Sequence, residues 1–113
     1  MAVDDRFRQG IELFNEEEFF ECHEIIEDLW LATQDEYKDL YKGVIQAAVA
    51  LHHLGRGNLK GAQKVYGTSR KYLQKYVPEA LGLNVEKLLS DMNICFEQNQ
   101  SFIPKLEFKE AGD

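Results

Sequence analysis

The sequence predicts an all-α fold, a compact bundle of about five helices followed by an extended C-terminal tail. Apolar residues recur at intervals of three and four, which is the spacing of one helix face, and do not alternate as they would in strands. Among 113 residues there are only two prolines, Pro78 and Pro104. Because 44% of the residues are hydrophobic, enough for one core of modest size, we expect a single domain over residues 1–113 with an ordered core at about 4–97.

The first two predicted helices occupy the N-terminal part of the chain. The first spans about residues 4–15 and places Phe7, Ile11 and Phe14 at i, i+4 and i+7 on one face. The second spans about residues 16–31. It opens with three consecutive glutamates, whose negative charge suits the positive end of a helix dipole.

The next three predicted helices are separated by turn and capping residues. The third, about residues 36–54, is apolar nearly all round, which is typical of a buried helix. A glycine-rich turn follows, and Asn58 is placed to cap a fourth helix that ends at Val77-Pro78. A fifth helix begins near Asn84 and continues to about Phe96.

The tail, residues 98–113, alternates apolar and polar residues where the helices do not. Its apolar positions are Phe102, Pro104, Leu106 and Phe108. This alternation predicts an extended segment that docks on the helices, with a frayed end over residues 109–113.

Charge and cysteine content narrow the function classes. Thirteen basic and twenty acidic residues give a formal charge of −7, which opposes binding to nucleic acid and to anionic membranes. A protein partner and a homo-oligomer both stay open. Cys22 and Cys95 form no paired spacing, and no apolar run approaches the ~18 residues of a membrane span. We therefore expect a cytoplasmic protein whose cysteines are small core residues.

A candidate polar cluster lies on the second and third helices. On a helical wheel, His23 and Glu27 are four residues apart inside an apolar arc, so both are expected to face the core in contact with each other. Gln46 and His53, seven residues apart, share one stripe of the third helix. If that stripe meets the second helix, the four side chains form one buried pocket, whereas His52 projects to another face.

Such a pocket admits several interpretations. We predict a structural or interaction module in which the cluster is a hydrogen-bonded network, since buried polar groups are usually paired. A metal-dependent, hydrolase-like enzyme is an alternative, because His23, Glu27 and His53 form a ligand set for a divalent transition metal such as zinc, iron or manganese. Metal-free acid–base catalysis is another, although no serine or cysteine nucleophile adjoins these residues. A small-ligand protein, with an apolar cleft near Trp30 and Gln46 as its polar anchor, is the remaining one.

Two stretches of the chain carry a family resemblance. Residues 14–30 (FNEEEFFECHEIIEDLW) and 41–58 (YKGVIQAAVALHHLGRGN) resemble a family of small helical proteins catalogued as domain of unknown function 309, and the likeness extends from residue 7 to about 96. The resemblance implies an all-α fold and transfers no reaction. The residues that match the family pattern are His23, Glu24, Glu27, Trp30, Gln46, His53, Gly57 and Asn58.

Overall fold

Five α-helices dominate the computed structural model of the protein, which describes residues 3–98 and 101–110. The all-α prediction is confirmed. The helices are α1 (Asp5–Asn15), α2 (Phe19–Ala32), α3 (Lys38–Gly55), α4 (Leu59–Leu73) and α5 (Val85–Glu97). A short 3₁₀ turn, Gln74–Tyr76, follows α4, and a hairpin of β1 (Glu79–Ala80) and β2 (Leu83–Asn84) precedes α5.

Three helices begin with a side-chain cap, among them the cap predicted at Asn58. The side chains of Asp4, Asn58 and Asn84 accept the backbone N–H groups of Arg6, Gly61 and Lys87 at 2.9, 3.0 and 2.9 Å. Each bond satisfies one of the N–H groups that a helix start leaves without a partner. Both α2 and α3 start later than predicted. For α2 the reason is Glu17, whose φ of 63° makes a left-handed turn after α1.

The centre of the bundle is α3, which packs between α2 and α4 and is buried along most of its length, as its composition predicted. Close approach to α4 depends on Gly43. The Ser69 hydroxyl donates a 2.8 Å hydrogen bond to the Gly43 carbonyl, and a Cβ at position 43 would lie 2.6 Å from the Leu73 side chain. A second glycine, Gly10, has the same role between α1 and α2, where its missing Cβ leaves room for Ile26.

The tail docks on the helices in extended form. The side chain of Asn15 accepts from the Leu106 amide at 2.6 Å and donates to the Leu106 carbonyl at 3.0 Å. Further along, Phe108 forms a bridge with Leu83 of β2, and its ring meets that of Phe7 edge to face with centroids 6.0 Å apart. The tail therefore adds apolar cover to α1 and the hairpin.

The predicted frayed end differs from the structure at its first two residues. The Lys109 amide donates to the Gly82 carbonyl at 2.8 Å, and the Arg8 guanidinium binds the Glu110 carboxylate. The difference arises because the hairpin, which the sequence did not predict, supplies an edge to which the tail is bonded. Residues 111–113 lie outside the described residues, and the extent of the domain stays a prediction.

Candidate functional site

Two helices, α2 and α3, run antiparallel and leave a partly exposed face between them. Near the start of α2, the Phe20 ring lies 5.7 Å from the His52 ring at the end of α3, measured between centroids. At the other end of α2, the Lys42 ammonium lies 4.5 Å from the centroid of the Trp30 ring. These two contacts fix which stripe of α3 faces α2.

The core-facing row of α2 consists of Cys22, Ile26 and Leu29, all buried. The neighbouring row, about 100° around the helix, is only partly covered. Its members are Phe20, His23, Glu27 and Trp30. Phe20 is 49% exposed, so the buried face of α2 is narrower than the helical wheel predicts, and this row lies at its edge.

His23 and Glu27 are neighbours, as predicted, but they are not buried. Their side chains are 26% and 45% exposed, and the closest nitrogen and oxygen atoms, Nε2 and Oε2, are 3.8 Å apart. That distance is too long for a hydrogen bond. Because both side chains are partly exposed, water can solvate them. The prediction that the pair is buried is therefore wrong.

On α3, the stripe that carries Gln46 faces α2, which is the condition set for a single pocket, but the histidine ring that contacts Phe20 of α2 is His52 and not the predicted His53. Gln46 is half-buried, between Lys42 at the Trp30 end of the stripe and Val49 beside His23. The ring at Phe20 belongs to His52, and the ring of His53 adjoins that of His52 with centroids 6.3 Å apart. Over residues 3–98 and 101–110, no side-chain hydrogen bond joins the four predicted cluster members.

The predicted metal ligands do not form a metal-binding group. Within the described part of the chain, no three His, Cys, Asp or Glu side chains come together in a way that could hold one ion. His23 lies beside Glu27, whereas the ring of His53 adjoins His52 at the end of α3. The residues therefore do not fit the zinc, iron or manganese site that the sequence left open.

An apolar cavity of about 170 Å³ opens on the face between the helices, and we call it the Phe20 cavity. Its lining is Phe19, Phe20, His23, Val49 and His52. A second cavity of about 310 Å³, the Arg56 cavity, shares Phe19 and His52 with the first. It continues past Leu51 and Arg56 to Ile103 of the tail. The two cavities together are the α2–α3 groove.

The Trp30 end of the same face is covered by two lysines. The Lys38 and Lys42 ammonium groups lie 4.4 and 4.5 Å from the centroid of the Trp30 ring, within the range of a cation–π contact. Lys38 also donates to the Trp30 and Thr33 carbonyls at 2.8 and 3.0 Å, which satisfies acceptors at the C-terminus of α2. Because these cations cover the indole of Trp30, the apolar cavity lies beside Phe20. The sequence had predicted an apolar cleft near Trp30.

Other singled-out residues are structural or exposed. Asn58 caps α4, and Gly57 before it has a φ of 79°, which favours glycine. Glu24 is exposed on the outer side of α2. Cys22 and Cys95 are free and buried, and burial raises the pKa of the Cys22 thiol to about 12, so it is protonated at neutral pH and no nucleophile.

The sequence did not indicate His52 as a site residue, and it indicated Phe20 only as one of several aromatic residues that could line an apolar pocket with Trp30. A signal for Phe20 was available, because it follows Phe19 directly, and two adjacent helical residues point 100° apart and cannot both face one core. No comparable signal marks His52, since His52 and His53 are equivalent until the position of α2 is known. Over the described ranges, no helix is both long and apolar enough to cross a membrane, and the cytoplasmic location stays a prediction.

Comparisons with known proteins confirm the family that the sequence resembles, over a shorter stretch than the predicted 7 to about 96. The profile of the family described as domain of unknown function 309 matches residues 7–65, which include all of α2 and α3. An uncharacterized protein of Bacillus subtilis, YpuF, is 37% identical over 78% of this chain, and an uncharacterized protein of Aquifex aeolicus is 40% identical over 46% of it. The matched parts cover 52% and 16% of those relatives, so the chain spans about half the length of the first and less of the second.

Proposed function

Because the chain belongs to the family described as domain of unknown function 309, and that family's matched region includes both walls of the α2–α3 groove, we propose that it is a protein-interaction module. The groove is its binding surface, and the ligand is a helical segment of a partner protein. The observation that carries the proposal is Phe20. This large apolar side chain is 49% exposed beside an apolar cavity, where it adds little to the core.

The size of the Phe20 cavity favours a peptide side chain over a whole small molecule. Pockets for drug-sized ligands have volumes of roughly 300–1,000 Å³ and enclose most of the ligand. The Phe20 cavity, at about 170 Å³, lies below that range and accommodates a side chain, whereas the adjoining Arg56 cavity, at about 310 Å³, lies at its lower end and extends the surface along α3. A helix that inserts apolar side chains at successive turns would use both cavities.

Selection from a phage-displayed library of helical peptides tests the proposal, with Phe20→Ala as the diagnostic variant. We expect selected peptides to carry apolar anchors at i, i+3 or i+4 and i+7, and Phe20→Ala to weaken their binding by about tenfold or more, as for an interface anchor. Isothermal calorimetry measures the affinity, and circular dichroism shows that the variant is folded.

Phe102→Ala is the matched control, because Phe102 is also an exposed phenylalanine, at 37%, and lines neither cavity. Its affinity should stay within about twofold of the wild type. If the library yields no binder, or if the folded Phe20→Ala variant binds as tightly as the wild type, the α2–α3 groove is not the binding surface.

A further inference from the structure

We infer that the partner segment is basic, with an apolar face that enters the Phe20 cavity and lysine or arginine side chains that meet the carboxylates of α2. The inference rests on the proposed function and adds the chemistry of the partner. It follows from the combination of an apolar groove with a negatively charged border.

Glutamates precede and follow Phe20 in the chain. Glu16, Glu17 and Glu18 form the turn before α2, and Glu21 follows Phe20 on the helix, so the sequence places carboxylates on both sides of Phe20. All four are exposed, and Glu17 lines the Arg56 cavity. A partner that inserts a side chain beside Phe20 therefore brings its own flanking groups close to negative charge.

The negative charge of these glutamates is largely uncompensated by ion pairs. In the described ranges, the one ion pair made by these four carboxylates joins Glu17 to Lys105 at 3.5 Å, with both side chains about half exposed. At Glu18, the negative charge of Glu21 raises the pKa of the carboxyl. A cation placed beside Glu18 and Glu21 would lower the pKa of the Glu18 carboxyl again, because it favours the ionised form. The two carboxylates would in turn attract the cation.

The negative charge beside the groove disfavours several other occupants. A second copy of this chain would bring another net charge of −7 to the same place. Nucleic acid and anionic lipid have the same disadvantage. Among the residues that line the two cavities, the permanent cation is Arg56, at the end of the groove away from Phe20. A basic amphipathic segment fits the Phe20 end on both apolar and electrostatic grounds.

Nuclear magnetic resonance titration of the ¹⁵N-labelled chain with three synthetic helical peptides tests this inference. The peptides share one leucine face and carry lysine, glutamine or glutamate on the other. We expect the lysine peptide to bind at least about tenfold more tightly than the glutamate peptide at low salt, with the difference shrinking as salt is added. Amide shifts should change at Phe20, Val49 and His52.

Matched double variants separate local charge from net charge. Glu18→Gln with Glu21→Gln should reduce the affinity for the lysine peptide by about fivefold or more. Glu79→Gln with Glu86→Gln removes the same charge from β1 and α5, which line neither cavity, and should change the affinity by less than about twofold. Equal effects of the two double variants would show that attraction to the overall charge, and not to the groove, holds the peptide.

The remaining outcomes distinguish this inference from the proposed function. Similar affinities for all three peptides, lost in Phe20→Ala, would overturn the basic partner and leave the interaction module in place. No binding by any peptide would contradict both. Concentration-dependent dimerisation in analytical ultracentrifugation that Phe20→Ala abolishes would identify a second copy as the occupant and would also overturn the inference.

Discussion

Replacing Phe7 with alanine is expected to lower the free energy of unfolding by about 3–5 kcal/mol, the usual loss for a buried phenylalanine. Phe7 is fully buried. Its ring contacts Tyr41 of α3, with centroids 5.3 Å apart, and Phe108 of the tail at 6.0 Å. One side chain thus joins α1, α3 and the tail, and its removal leaves a cavity that three separate elements would have to close.

Phe20→Ala is the matched control, because it deletes the same ring from a site that is 49% exposed. It should lower the free energy of unfolding by less than about 1 kcal/mol. Urea denaturation followed by circular dichroism measures both variants. A loss below about 1.5 kcal/mol for Phe7→Ala, or a loss for Phe20→Ala as large as that for Phe7→Ala, would contradict the assignment of the core.

Replacing Gly43 with alanine is expected to destabilise the fold by about 1–2 kcal/mol net, through overpacking between α3 and α4. The added Cβ would lie 2.6 and 2.7 Å from two carbon atoms of Leu73, which is fully buried. Separation of the helices would also stretch the hydrogen bond from Ser69 to the Gly43 carbonyl. The strain exceeds the gain of up to about 1 kcal/mol that alanine brings to a helix interior.

Gly67→Ala gives the comparison, since Gly67 lies within α4 and its added Cβ would meet nothing within 4 Å. Alanine should raise the free energy of unfolding there by about 0.5–1 kcal/mol, because it restricts the unfolded chain and favours the helix. Thermal unfolding of both variants tests the pair. If Gly43→Ala proves as stabilising as Gly67→Ala, the close approach of α3 and α4 is wrong.

The helices could be predicted from the sequence because their determinants are local. The spacing of Phe7, Ile11 and Phe14 places all three in the core, and the asparagines at positions 58 and 84 cap the helices that follow them. Spacing and capping depend on a few neighbouring residues, so neither requires knowledge of the rest of the fold.

The hairpin before α5 could not be predicted in the same way. Its turn residues, Leu81 and Gly82, both have positive φ, at 50° and 83°. Glycine adopts such angles readily, but leucine rarely does, so the pair lacks the signal of an asparagine–glycine turn. The bridge from Leu83 to Phe108 helps to hold this conformation, and that contact joins residues 25 positions apart in the chain.

The candidate site was predicted in part. A helical wheel correctly pairs His23 with Glu27, since four residues bring two side chains to one face. It cannot say how far the core extends around α2, because burial depends on how closely α3 approaches. Nor can it choose between His52 and His53, whose directions differ by about 100° and whose roles depend on the position of Phe20.

A double-mutant cycle for unfolding tests whether the face of α2 that bears His23 and Glu27 serves a partner and not the fold. The cycle compares His23→Ala, Glu27→Ala and the double variant with the wild type. A partly exposed pair 3.8 Å apart should show a coupling free energy below about 0.5 kcal/mol. A coupling above about 1.5 kcal/mol would mean that the two side chains form a structural network and that this face of α2 serves the fold.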